Sequence, residues 1–121
     1  MSKEAISKIY LIVEKIEHIE QIVQNSKNIT NALNDEITTR PAILMHLTSI
    51  AEQFNKLKQG SHTELLSAFE KDDLKGMYDV RTYIAHDYEG VNLAIIEWII
   101  RHGLPKFKQQ CLELIEKNSE K

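Results

Sequence analysis

Apolar residues recur every three or four positions along most of the chain, which is the period of an amphipathic α-helix rather than of a strand. The first stripe of this kind predicts a helix over residues 3–25. Residues 25–40 are more polar, although apolar residues spaced by four allow one short helix within this linker. The first stripe consists of Ile6, Ile9, Val13, Ile16, Ile19 and Val23.

A second long stripe predicts a helix that begins at Pro41 and ends near Gly60. Proline suits the first turn of a helix because its missing N–H would have no partner there, and glycine is common where a helix ends. A smaller apolar cluster predicts another helix over residues 63–71. The long stripe consists of Ile43, Leu47, Ile50, Phe54 and Leu57.

Three further helices are predicted in the second half of the chain. Asp72 or Asp73 can cap the N-terminus of the first, which we expect to run to Gly90. Asn92 can cap the second, and Pro105 can open the last.

These elements predict an all-α protein, a small antiparallel bundle of five to six helices that forms one domain over residues 1–121. A chain of this length can bury one hydrophobic core but has no room for a second. Several of the stripes are wide and rich in Ile, which is compatible with a dimer, although periodicity alone does not establish one.

Composition narrows the classes of function. The chain has 15 Lys and Arg against 18 Asp and Glu, a net charge of −3, which argues against a uniformly positive surface that holds nucleic acid but allows a local basic cleft. No apolar run approaches the roughly 18–20 residues that span a bilayer. Lys and Glu interrupt the first twenty residues throughout, unlike in a signal peptide. A single Cys cannot form an internal disulfide, so we expect a soluble cytoplasmic protein with no membrane partner.

Several kinds of site are not indicated. The sequence contains neither GxxxxGK nor GxGxxG, and its His and Cys residues lack zinc spacing, so we expect no metal and no cofactor. Cys111 lies on an apolar stripe and is interpreted as a core residue. Trp98, in the segment IIEWII, is interpreted as a packing anchor, either in the core or at a subunit contact.

The segment MYDVRTYIAHDYEG, residues 77–90, combines groups that could act on a phosphodiester. Arg81 offers planar donors matched to phosphate oxygens, and His86 can exchange a proton near neutral pH. At about 100° per residue, the two side chains point about 140° apart on a regular helix. We therefore expect both to line one cleft only if the helix loosens near its end or two copies of the chain meet.

A purely structural interpretation stays open on spacing alone. Arg81 could pair with Asp79 or Asp87, and His86 could cap the end of its helix. Because short motifs such as R-x4-H arise by chance, the spacing does not decide between the two interpretations.

The surroundings of this pair resemble the HepT-like proteins of the HEPN family. The family signature R-x4-H-x-Y corresponds here to Arg81, His86 and Tyr88. As in the family, a short loop (EGVN), a helix carrying Trp98 and the dipeptide Leu104–Pro105 follow.

The upstream segment RPAILMHLTSIAEQFNKLKQG resembles the family's second long helix, with Glu52 at its acidic position, so the likeness covers about residues 37–117. The resemblance implies an all-α homodimer that acts as a metal-independent endoribonuclease toxin of a type VII-like toxin–antitoxin system. The implied partners are an RNA substrate and a minimal, MntA-like nucleotidyltransferase antitoxin. That antitoxin would silence the toxin by transferring AMP to Tyr88.

The resemblance also implies a role for each residue. Arg81 would stabilise charge on the phosphate in the transition state, and His86 would be the general base or acid for attack by the 2′-hydroxyl. Tyr88 would be the modified residue and, unmodified, an RNA contact. Thr82 and Asp87, with Glu52, are expected to support the pair. Many family members have Asn where this chain has Thr82, which weakens an expected role in orienting the arginine or the phosphate.

Two other functions remain open. The chain could be a non-catalytic helical module that presents a substrate or a nucleotide to a nucleotidyltransferase, or an inert helical bundle stabilised by dimerisation. The intact R-x4-H-x-Y motif favours the enzyme, because a purely structural dimer would not need it.

Overall fold

The computed structural model describes residues 1–60 and 62–119, and this part of the chain is helical without any strand. The predicted all-α class is therefore confirmed. The predicted domain over residues 1–121 includes residues 61, 120 and 121, which lie outside the described residues. The helices are α1 (Lys3–Asn25), α2 (Ile29–Asn34), α3 (Thr39–Gln59), α4 (Thr63–Leu66), α5 (Lys71–His86), α6 (Leu93–Trp98) and α7 (Leu104–Ser119), with a π-helical segment (Ile99–Gly103) joining α6 to α7.

Four long helices form the bundle, in which α3 packs between α1 and α5 and α7 packs against α1. The contacts between α3 and α5 run in opposite directions along the chain. Lys58 lies 4.7 Å from the centre of the Tyr78 ring, whereas the earlier Glu52 meets the later Arg81. The two helices are therefore antiparallel, as the short connections predicted.

The core is continuous and contains residues from every long helix. At one end of it, the rings of Phe54, Phe69 and Phe107 lie 5.1–5.9 Å apart and join α3, α7 and the turn after α4. Cys111 is fully buried, and this burial raises the pKa of its thiol to about 12, which confirms its interpretation as a core residue. Trp98 is 61% exposed, so its alternative placement in the core was wrong.

Both ends of the first predicted helix and the predicted start of α6 are confirmed. The helix over residues 3–25 has the bounds that the apolar stripe predicted, and α2 is the short helix allowed in the linker. The Asn92 side chain accepts hydrogen bonds from the backbone N–H groups of Ala94 and Ile95 and so caps α6.

Other predicted bounds were wrong, because side chains and turns compete with the helix. Helix α3 begins two residues before Pro41. Helix α4 ends at Leu66, because the N–H groups of Ala68 and Phe69 donate to carbonyls three residues earlier and form turns. These turns direct Phe69 into the core. The N-cap of α5 is Glu70, so Asp72 and Asp73 lie in its first turn, where carboxylates favour the positive end of the helix dipole.

The last two helices were predicted to be separate, but they are continuous through the π-helical segment. The backbone N–H of Leu104 donates to the carbonyl of Ile99, five residues earlier. Because Pro105 has no N–H and its ring crowds an ordinary helical turn, the wider turn directly before it lets the chain continue. None of the described helices is long and apolar enough to cross a membrane.

We expect stability to depend on pH through His46, which lies half-buried on α3 with its ring 5.2 Å from that of His18 on α1. Burial, then the charges of Lys15 and His18, lower the pKa of His46 below its ordinary 6.5. The unfolded chain therefore binds this proton at higher pH than the folded chain. The free energy of unfolding should fall as the pH drops below about 7, and denaturant titration of His46→Gln should show a flatter dependence.

The exposed His102 provides the control, because His102→Gln should keep the wild-type dependence. If the free energy of unfolding of His46→Gln depended on pH as in the wild type, the contact between His18 and His46 would not control the acid sensitivity of the fold.

Candidate active site

Arg81 projects from α5 toward α3, where its Nε lies 3.3 Å from Oε1 of Glu52. The side chains are 54% and 40% exposed, so the pair contributes at most about 1 kcal/mol to stability and is open to solvent. Arginine carries five N–H donors, and a single carboxylate cannot accept hydrogen bonds from all of them. Glu52 thus orients the guanidinium. The ion-pair partner of Arg81 is Glu52 and not Asp79 or Asp87, the two partners that the structural interpretation had suggested.

His86 is the last residue of α5 and is exposed. It lines a shallow, open depression of about 370 Å³ together with Arg81, Thr82 and Ala85. On a regular helix, Ala85 and Thr82 lie about 40° and 100° round the axis from Arg81, and His86 lies at about 140°. The depression therefore extends over an arc of the helix whose middle carries two short side chains.

This geometry overturns one expectation drawn from the sequence. The helix remains regular as far as His86, and a single copy of the chain brings both Arg81 and His86 to one depression. The helical angle of about 140° prevents the two side chains from touching. It does not prevent them from lining opposite sides of the same shallow surface.

Tyr88 follows α5 on a turn formed by residues 87–90 and is 40% exposed. The N–H of Gly90 donates to both the side chain and the carbonyl of Asp87, at 3.0 and 3.2 Å. A Cβ atom at position 90 would collide with the Asp87 carboxylate. The chain therefore leaves the helix at Asp87, not at Gly90 as predicted, and Asp87 holds the turn that follows.

A second contact fixes the same loop, and sequence reasoning missed it. The hydroxyl of Tyr83, on α5, accepts a hydrogen bond of 2.7 Å from the backbone N–H of Asn92. Residue spacing alone could not reveal this bond, because it depends on the path of the intervening loop. The phenol thereby ties the start of α6 to α5 just beyond the turn that carries Tyr88.

The three tyrosines of the segment have different surroundings. The half-buried Tyr78 packs under the Lys58 ammonium group, and burial raises the pKa of its phenol. Tyr83 anchors the loop, whereas Tyr88 is exposed two residues after His86 and does not line the depression. The crowding of aromatic residues in this segment is thus partly structural. Within residues 1–60 and 62–119, no three His, Cys, Asp or Glu side chains come close enough to hold a metal ion.

Comparison with protein-family models identifies one match, the model described as "Ribonuclease HepT-like", over residues 12–114. The chain belongs to the HepT-like ribonuclease family. Searches among curated proteins and among solved structures gave no match. The matched range contains α5, the turn after it and Glu52 on α3, so the depression lies within the part of the chain that carries the family likeness.

We expect Tyr83→Phe to loosen the loop between α5 and α6. The substitution keeps the ring but removes the acceptor of the Asn92 N–H, which should lower the free energy of unfolding by about 1 kcal/mol. Amide hydrogen exchange at Asn92 should become faster, because that N–H loses its protein partner. Tyr10→Phe, on the exposed Tyr10 of α1, is the matched control. Unchanged exchange at Asn92 would mean that this bond does not hold the loop.

Proposed function

We propose that this HepT-like chain is a metal-independent endoribonuclease and the toxin of a type VII-like toxin–antitoxin system. The observation that carries the proposal is the shared depression, which Arg81 and His86 line from opposite sides on one helix. Family membership supports the reaction class, and the geometry supports the choice of residues.

Arg81 binds the scissile phosphodiester. Its guanidinium keeps its charge at every working pH and presents paired donors to phosphate oxygens. The Glu52 carboxylate on α3 pairs with Nε of Arg81 and so holds the plane of the guanidinium. The remaining donors then stabilise the charge that develops on the phosphate as the 2′-oxygen attacks.

His86 transfers the protons. As a general base, it removes the proton of the ribose 2′-hydroxyl while the 2′-oxygen attacks the adjacent phosphorus and the bond to the 5′-oxygen breaks. The leaving 5′-oxygen needs a proton at the same time, and a second histidine supplies it as a general acid. Thr82 lines the depression, and its hydroxyl donates to a phosphate oxygen in place of the Asn amide that many family members carry.

The second histidine comes from a second copy of the chain in a homodimer. The depression of one copy is shallow and open, so it leaves one face of a bound phosphodiester uncovered. A two-fold axis near α5 would place two Arg81 and two His86 side chains round one RNA strand. Met45 supports a contact here, because it is 66% exposed and lies about two helical turns from Glu52 on the same stripe of α3.

The partner that controls the toxin is an MntA-like nucleotidyltransferase, which transfers AMP to Tyr88. The phenol oxygen attacks the α-phosphorus of ATP, pyrophosphate leaves, and the phenolic proton passes to a base of the transferase. Tyr88 suits this reaction because it is exposed on a turn that two hydrogen bonds and a glycine hold in place. An AMP group attached beside His86 competes with RNA phosphate for Arg81.

We expect the purified, unmodified protein to cleave single-stranded RNA in excess chelator and to leave 2′,3′-cyclic phosphate ends. His86→Ala and Arg81→Ala should each lower the rate by about 10²-fold or more, because each removes a group that acts in the transition state. The control is His102→Ala, since His102 is exposed and lies outside the depression. Circular dichroism should show equal helicity for all four proteins.

Cleavage that survives in His86→Ala would indicate a contaminating nuclease. If no version cleaves RNA while mass spectrometry shows Tyr88 free of AMP, the chain is instead the non-catalytic partner of a nucleotidyltransferase.

We expect an MntA-like transferase supplied with ATP to add AMP to Tyr88. Intact-mass analysis should show the addition in the wild type and in Tyr10→Phe, which alters another exposed tyrosine, but not in Tyr88→Phe. RNA cleavage should fall in parallel with the modified fraction. Modification of Tyr88→Phe to the wild-type extent would place the acceptor elsewhere.

A further inference from the structure

A second concave surface lies between α5 and the segment that joins α6 to α7. This groove has a volume of about 670 Å³ and a mainly apolar lining. Met77, Val80 and Phe107 are buried residues of its lining, whereas Ile95 and Trp98 on its far side are 46% and 61% exposed. Large exposed side chains next to an apolar groove are typical of a binding surface rather than of a free protein surface.

The groove occupies a flank of α5 that faces away from Arg81, whereas His86, about 140° round the axis from Arg81, lies next to that flank. Asp72, Gly76, Asp79 and Tyr83 line it, at spacings of four, three and four residues. On a regular helix, these positions lie about 160–220° round the axis from Arg81, and they extend for about 16 Å along it. A molecule in the groove therefore leaves the Arg81 side chain uncovered.

The rim of the groove is acidic. Lys106 contributes a positive charge there, but its Nζ lies 2.7 Å from Asp73 and 3.1 Å from Glu70, so two carboxylates offset that charge. Asp72 and Asp79 are exposed, and neither forms an ion pair within the described residues. His102 adds positive charge only when it is protonated.

Gly76 makes close approach possible in the middle of this stripe. A Cβ atom added at Gly76 would meet no other group within 4 Å, so the space beside the helix is open. An occupant can therefore pack near the backbone of α5 between the two free carboxylates of Asp72 and Asp79.

We propose that the groove binds a basic amphipathic helix of a partner protein. Apolar side chains of that helix would fill the space over Val80 and Trp98, and Lys or Arg side chains on its edges would meet Asp72 and Asp79. The groove length of about 16 Å matches roughly three turns of helix. Trp98 is the expected anchor, since Trp is enriched among the residues that dominate binding energy.

The acidic rim favours a basic helix over a second copy of the chain as the occupant of the groove. A two-fold contact centred on the groove would bring Asp72 and Asp79 of both copies into one interface, where like charges repel. A basic partner converts the same carboxylates into favourable contacts. The binding does not depend on ribonuclease activity, so either proposal can fail without the other.

The test uses a synthetic peptide of about 14 residues, composed of Leu and Lys and arranged to form one apolar face. Trp98 is the only Trp in the chain, so its fluorescence reports directly on the groove. We expect the peptide to shift the emission of Trp98 to shorter wavelength in a saturable manner. An isomer with Glu in place of Lys should bind at least about tenfold more weakly, a difference of about 1.4 kcal/mol.

Variants of the protein locate the site by anisotropy of a labelled peptide. Trp98→Ala and the double variant Asp72→Asn with Asp79→Asn should each weaken binding about tenfold. Tyr10→Ala, which removes an exposed aromatic ring on α1, should bind like the wild type. The Arg81→Ala variant should also bind normally, because Arg81 lies on the opposite flank.

Three results would overturn the proposal. The first is the absence of a saturable change, and the second is equal affinity for the Lys and Glu peptides or for the Asp variants. The third is a shift of Trp98 emission that appears with protein concentration alone and coincides with dimerisation in sedimentation. That third result would assign the groove to a second copy of the chain.

Discussion

The burial of one stripe of α5 against the rest of the bundle determines the directions in which Arg81 and His86 point from this helix. Leu74, Met77, Val80 and Ile84 are buried, and each such side chain contributes about 1.5–3 kcal/mol. The half-exposed pair of Arg81 and Glu52 contributes at most about 1 kcal/mol. The apolar stripe therefore sets the rotation of the helix, and the polar residues accept the positions that this rotation gives them.

That rotation gives α5 two separate working flanks. A slip of one residue in its packing would turn the helix by about 100° and move Arg81 away from Glu52. The antiparallel contact with α3 fixes the register as well, because Tyr78 and Arg81 meet residues of α3 in reverse order. The depression proposed to hold a phosphate and the groove proposed to hold a basic amphipathic helix thus depend on the same packing.

Periodicity predicted the parts of this arrangement that depend on local sequence. The helix over residues 3–25 and the cap at Asn92 follow from an apolar stripe and from a side chain that bonds its own backbone neighbours. The end of α5 did not follow, because Gly90 marks the turn while the Asp87 carboxylate ends the helix three residues earlier. Likewise, the apolar neighbours of Trp98 allowed it to lie either in the core or at a subunit contact, and its 61% exposure follows only from the tertiary structure.

In the candidate site, too, some features follow from local sequence and others depend on tertiary structure. The motif identifies Arg81, His86 and Tyr88 as a group, but the pairing of Arg81 with Glu52 requires the register between two helices distant in sequence. Tyr83 depends even more on tertiary structure. It lines the apolar groove on one flank of α5, and its hydroxyl holds the N–H of Asn92 at the end of the loop that carries Tyr88. A helix bound in the groove would therefore contact the residue that anchors this loop. Tyr83 therefore connects the groove physically to the loop that carries Tyr88.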